Sequence, residues 1–226
     1  MARILVGLVG YCQFVRGYVL GPELMARLRA GPWPEKLDIR EMNWGPIAIV
    51  QDLQAAGERF DRVVLVGACD AGRAPNSVTC RRWTGRTQDP LAVQRRVFEA
   101  VTGVISVDNL LVIGAHFGVW PDELFSVEVQ MAESCLGDVV LAEIEQRNQS
   151  GNAAVIGEQL LTAGGLELVE RIVAVTRRVA LEGVSAAQET VSLDSDQLRP
   201  VAKVCHYDFV EQGPSAEFSI RQEQLQ

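Results

Sequence analysis

Two short runs, ILVGLVG from Ile4 and RVVLVGAC from Arg62, constrain this chain more than anything else in it. Their apolar residues fall on successive positions, not on alternate ones, so both faces of each strand must be covered. That is the pattern of a central strand in a parallel sheet flanked by helices. The segments around them fit such a sheet. GPELMARLRA reads as a helix with Leu24, Met25 and Leu28 on one side and Pro22 in its first turn. KLDIREMNW reads as a strand with Leu37, Ile39 and Met42 apolar, and GPIAIVQDLQAAGERF as a helix opening at Pro46. NSVTCRRWT alternates like a strand. Asp89-Pro90 then opens a helix through LAVQRRVFEAV, where Val93, Val97 and Val101 fall four apart. SVDNLLVIGAHFG fits a helix or a strand by pattern alone; it is assigned as a helix because ELFSVEVQM after it alternates and makes the better strand. GDVVLAEIEQR and GLELVERIVAVTRRVALEG read as helices, the second with Val169, Ile172, Val173 and Thr176 on one face.

This β-α-β rhythm predicts an α/β fold: a three-layer, doubly wound, mostly parallel sheet with right-handed crossovers, a C-terminal helix and an extension. Ligands of such sheets gather at the strand C-termini. Those ends are Gly10 to Cys12, Asn43 to Gly45, Gly67 to Asp70 and Gln130 to Glu133. The expected division is a domain over residues 1–183 and a polar extension over 184–226, with one short strand at AKVCHYDFV.

At 226 residues and 48% hydrophobic content the chain can bury a substantial core. A net charge of −8 argues against nucleic-acid or anionic-membrane partners, which reward clustered Lys and Arg. The basic stretch TCRRWTGR reads as a solvated strand edge or loop. Five scattered cysteines without a CxxC pair point to a reducing, cytoplasmic setting. No run approaches the roughly 20 apolar residues of a membrane span. MARILVGLVGYC mimics a short signal segment, but it is followed by Arg16 and makes a better first strand.

Several chemistries can be weighed from spacing. Gly7, Gly10 and Gly17 miss the G-x-G-x-x-G dinucleotide pattern. No G-x-S-x-G elbow is present, and there are only two histidines. His116 suits the C-terminal turn of a helix, where the dipole favours it, better than it suits ligation. His206 lies beside Cys205 and near Asp208, but neighbouring side chains on a strand point to opposite faces. Cys12 and Cys69 each follow the glycine-bearing tip of a predicted neighbouring strand, so they read either as soft ligands, as a redox pair or as inert packing. Asp70 is the best-placed carboxylate and also an ordinary turn residue.

Four stretches together resemble the endopeptidases that mature nickel-iron hydrogenases by removing a C-terminal peptide from the large subunit after nickel insertion. RILVGLVGYCQFVRGYVLGPELMARL is similar to the family's opening strand, acidic loop, G-P-E and helix. FDRVVLVGACDAGRAPNSVTCRRW resembles its third strand, which ends V-D-A and continues G-x-x-P-G-T-V. GVWPDELFSVEVQMAESCLGDVVLAEI resembles its L-P-(D/E)-E strand, distal loop and helix, and the intervening helix fits in length. The likeness covers about residues 3 to 147 and implies a phosphorylase/hydrolase-like sheet.

It also implies a nickel site that this chain lacks. The first-loop acids fall on Gly17 and Tyr18, the V-D-A aspartate on Gly67, and a histidine is expected near Thr102 or Gly103. None of these positions carries the family's donor. Gly17, Tyr18, Gly67 and Gly103 therefore read as vacated ligand positions. Asp70 is then the displaced catalytic candidate, with Cys12, Cys69, His116 and Asp108 as substitute donors. The resemblance implies a relative that binds the hydrogenase large-subunit precursor, or another assembly factor, without cutting it. No cofactor is expected, and nickel enters only with rearranged ligands. An active endopeptidase of that kind, or a small-molecule enzyme on the same sheet, is the alternative. The oligomeric state is open.

Overall fold

The computed structural model of the protein describes residues 2–10, 20–34, 36–57, 59–69, 71–85, 89–101, 105–130, 163–194 and 198. Among the described residues, six strands form one sheet: β1 (Ile4–Val9), β2 (Leu37–Met42), β3 (Arg62–Cys69), β4 (Val78–Thr84), β5 (Glu123–Gln130) and β6 (Glu189–Ser192). Five helices among those residues accompany them: α1 (Leu20–Arg29), α2 (Pro46–Ala55), α3 (Pro90–Val101), α4 (Val107–His116) and α5 (Ala163–Glu182). The strand order is β2-β1-β3-β5-β4-β6. β2, β1, β3 and β5 run parallel, β4 is antiparallel to β5, and β6 is parallel to β4.

The fully apolar strands lie where their pattern requires. All six residues of β1 are buried, and so are Val63 to Gly67 of β3. One apolar layer joins Val6, Leu8, Val64, Val66, Phe125 and Val127 to α1 and α5, through Leu24, Leu28, Val169 and Ile172. The other joins Leu5, Val9, Val63, Leu65 and Leu124 to α2, α3 and α4, through Ile49, Ala100, Leu110 and Ile113. Helices cover both faces, so the molecule has three layers.

Two expectations need correction. Val101 does not share a buried stripe with Val93: it is 72% exposed, while Arg96 and Glu99 of the same helix are buried. The helix turns a polar face inward because its covered side meets a polar cluster as well as the core. Nor does the sheet end at Gly183. After a short 3-10 turn over Gly183–Ala186, β6 pairs with β4, and Val191 enters the core. The strand expected at AKVCHYDFV and the helix expected at GDVVLAEIEQR lie outside the described residues.

Candidate functional site

The parallel strands end along one rim. On the face covered by α2, α3 and α4, alternation places Gly67 and Cys69 of β3 beside Glu128 and Gln130 of β5, in the pairs Gly67↔Glu128 and Cys69↔Gln130. The N-terminus of α4 closes over this corner. Ser106 caps the helix, its Oγ accepting from the Asn109 N–H at 3.1 Å. The next residue, Val107, packs directly onto Gly67. A Cβ added at Gly67 would lie 2.4 Å from Val107 Cγ2 and 3.2 Å from the Val9 carbonyl oxygen.

Beside this apolar contact lies a buried polar cluster. The Trp83 indole N–H donates to Ser126 Oγ at 2.7 Å, and Ser126 Oγ donates to Glu128 Oε1 at 2.7 Å. The other Glu128 oxygen accepts from Arg73 at 2.9 Å and lies 3.7 Å from Arg81 Nε, which is itself 3.0 Å from Glu189 of β6. On α3, Arg96 reaches Glu99 at 3.1 Å, Asn109 Oδ1 at 3.0 Å and the Leu198 carbonyl at 2.5 Å. Each buried carboxylate here faces at least one guanidinium, as burial requires.

Two groups at this corner have displaced acidities. Burial pushes the Cys69 thiol up to about 12, with the Glu128 carboxylate adding to the rise and Arg73 opposing it. Cys69 is therefore a neutral thiol at physiological pH. Burial likewise raises Asp108 to about 7; Arg96 opposes the rise and Glu128 adds to it.

Of the positions singled out by sequence, Cys12, Gly17, Tyr18, Asp70, Thr102 and Gly103 lie outside the described residues, as do Cys205, His206 and Asp208. Gly67, Cys69 and Asp108 meet at the corner. His116 does not join them: it is exposed at the far end of α4, about 12 Å along the axis from Asp108 at a rise of 1.5 Å per residue. The opening turn of the fourth helix sits later in the chain than the resemblance suggests. It begins at Val107, and the acidic residue on it is Asp108. Sequence reasoning named Gln130 only as the start of a strand end and did not single out Glu128, Arg73 or Arg81. A signal existed in ELFSVEVQ, where Ser126, Glu128 and Gln130 alternate along a strand buried at seven of its eight positions. Polar groups in so covered a strand need partners, and so mark a polar site.

The nickel that the resemblance implies does not fit these residues. Glycine offers no donor, and Val107 occupies the space into which a side chain at position 67 would have to grow. Glu128 is engaged by Ser126 and Arg73. Among the described residues, no three His, Cys, Asp or Glu side chains gather in a way that could hold a metal ion.

No protein-family model and no curated protein matches the chain. The solved structures it resembles include an endopeptidase and two hydrogenase maturation peptidases. An endopeptidase from Escherichia coli is 18% identical over 68% of this chain and 91% of its own, with a TM-score of 0.39. The hydrogenase 2 maturation peptidase of a Thaumarchaeota archaeon is 15% identical over 66% of this chain and 98% of its own, at 0.32. A hydrogenase 3 maturation protease is 16% identical over 71% of this chain and 96% of its own, at 0.34. No described helix is long and apolar enough to cross a membrane.

Proposed function

We propose that the chain is a hydrogenase maturation protease-like protein that binds the precursor of a nickel-iron hydrogenase large subunit, or another assembly factor, without cleaving it and without holding nickel. The observation that carries the reading is the contact of Val107 on Gly67: the position of the family's aspartate is glycine, and the volume its side chain needs is filled by a valine methyl. A nickel-dependent cut cannot be restored there by one substitution, because a Cβ alone already collides.

The loop that follows β3 supports retention of a docking surface. The resemblance gives it as G-x-x-P-G-T-V, and this chain reads GRAPNSV. Gly72 has φ +68°, and Asn76, which stands at the second glycine of the pattern, has φ +61°. Asparagine is one of the few non-glycine residues that adopt this left-handed conformation readily. Two left-handed positions at the pattern's two glycines support a retained loop course, while Gly67, three residues before Asp70, offers no donor.

The test is to mix the purified chain with a nickel-loaded large-subunit precursor. Comigration in size-exclusion chromatography with a precursor of unchanged mass is the expected result. Absence of a complex would overturn the reading. Shortening of the precursor would replace it with a working endopeptidase of rearranged ligands.

A further inference from the structure

Helix α3 carries large apolar side chains on the face turned away from the sheet. Leu91 is 62% exposed, Phe98 57% and Val101 72%. Their spacing sets them on one side of the helix, in a stripe about 15 Å long at a rise of 1.5 Å per residue. Arg95 is the one exposed charge on α3, because Arg96 and Glu99 are turned inward. A surface helix normally sets several charges on that face, and a run of exposed apolar side chains marks an interaction site. The chain itself returns to this helix. After β6, Leu198 packs against the core layer that α3 covers, and its carbonyl accepts from the Arg96 guanidinium at 2.5 Å. The same guanidinium donates to Asn109 Oδ1 of α4 at 3.0 Å, which fixes the return point to both helices. Residues 199–226 follow it. Their first part, VAKVCHYDFV over 201–210, is apolar at Val201, Val204, Tyr207, Phe209 and Val210, and Asp208 and Glu211 supply acids.

We infer that residues 201–210 of this chain dock on the outer face of α3 and cover Leu91, Phe98 and Val101. The inference stands independently of the functional reading above. Reach allows it. Arg96 meets Leu198 on the covered side of the helix, so the chain must pass round a cylinder about 10 Å across. At about 3.3 Å per extended residue, three or four residues make that passage and about five more span the stripe, which keeps the docked part within 201–210. Tethering favours it. A segment anchored at Leu198 meets α3 at an effective concentration in the millimolar range, about a thousandfold above that of a second copy at micromolar concentration. Both surfaces are apolar, so docking removes each from water. Charge agrees as well: Asp208 and Glu211 complement Arg95, whereas two copies of this face packed about a two-fold axis would bring Arg95 toward its own equivalent.

The experiment is amide hydrogen exchange on the full chain at low micromolar concentration, with sedimentation to report its oligomeric state. In the unaltered chain the amides of 201–210 are expected to exchange at least tenfold more slowly than those of 213–226. Phe98→Ser combined with Val101→Ser, both on the outer face, is expected to remove that difference. Arg95→Glu leaves the stripe intact and is expected to speed exchange in 201–210 by about threefold, the size of an exposed ion pair. That second variant keeps the inference testable if the first does not fold. Equal rates for the two segments in the unaltered chain would overturn the inference. Slow exchange that neither variant changes would place the segment elsewhere and overturn it too. Protection that rises with protein concentration, together with a dimer in sedimentation, would give the face to a second copy. Protection that appears only when the large-subunit precursor is added would give it to that partner, and either result overturns the inference.

Discussion

A single missing Cβ decides the chemistry of this rim. Gly67 leaves room for Val107 Cγ2, and the two residues interlock where β3 meets α4. Gly67→Ala should therefore cost about 1–3 kcal/mol through overpacking. Adding Val107→Ala should recover much of that loss, a coupling that a double-mutant cycle in urea unfolding would expose. Strictly additive losses would show that the contact is not the constraint. The adjacent Asp108 makes a second prediction. Its folded-state acidity lies near 7 against an ordinary value of 3.8, because burial disfavours the charged form. Between those values the folded chain retains a proton that the unfolded chain has released, so this group's stabilising contribution is complete below about pH 4 and fades as pH rises toward 7. Asp108→Asn should flatten that slope and leave the protein more stable at pH 8 by on the order of 2 kcal/mol. Denaturant melts at pH 5 and pH 8 measure it; an unchanged slope would refute the assignment.

At the level of elements, α4 depends on a second close approach. The Trp120 indole lies against Gly114, where an added Cβ would sit 2.3 Å from the ring, and its N–H donates to the Leu111 carbonyl at 3.0 Å. A rigid ring cannot step aside as a lysine tail would. Gly114→Ala should lower stability by about 1–3 kcal/mol despite alanine's better helix propensity. A rise in the unfolding midpoint would show that the indole can move. This element was legible in sequence only by elimination: SVDNLLVIGAHFG fits helix or strand, and the clearer alternation of the following segment decided it. The strands were more legible, because ILVGLVG and RVVLVGAC are apolar throughout for a reason that acts locally, burial on both faces. The polar corner was not, because its members come from β3, β4, β5, α3 and α4, and only the register sets Gly67 opposite Glu128. Sequence could name Gly67 as a position without a donor; it could not show that Val107 fills the space.

For the whole molecule, the polar composition after Gly183 suggested an appendage, whereas the sheet continues into it. Composition misleads here because an edge strand needs few apolar residues: β6 buries only Val191 of its four, with Leu193 buried just beyond. Those two still close the end of one core layer, and Gln188 Oε1 accepts from the Cys80 N–H at 2.8 Å as the chain enters the strand. β6 also brings Glu189 to Arg81, linking the far edge of the sheet to the corner occupied by Glu128. A chain ended at Glu182 should therefore lose more than a tail. Two buried aliphatic side chains at about 1.5–3 kcal/mol each amount to several kcal/mol, a large part of a typical domain's margin. The bared edge of β4 would also offer unpaired backbone groups to other chains. The expected outcome is a lower unfolding midpoint with concentration-dependent aggregation in light scattering. A truncated chain as stable and monodisperse as the full one would mean that β6 is dispensable to the sheet, and that the corner is built without its outer edge.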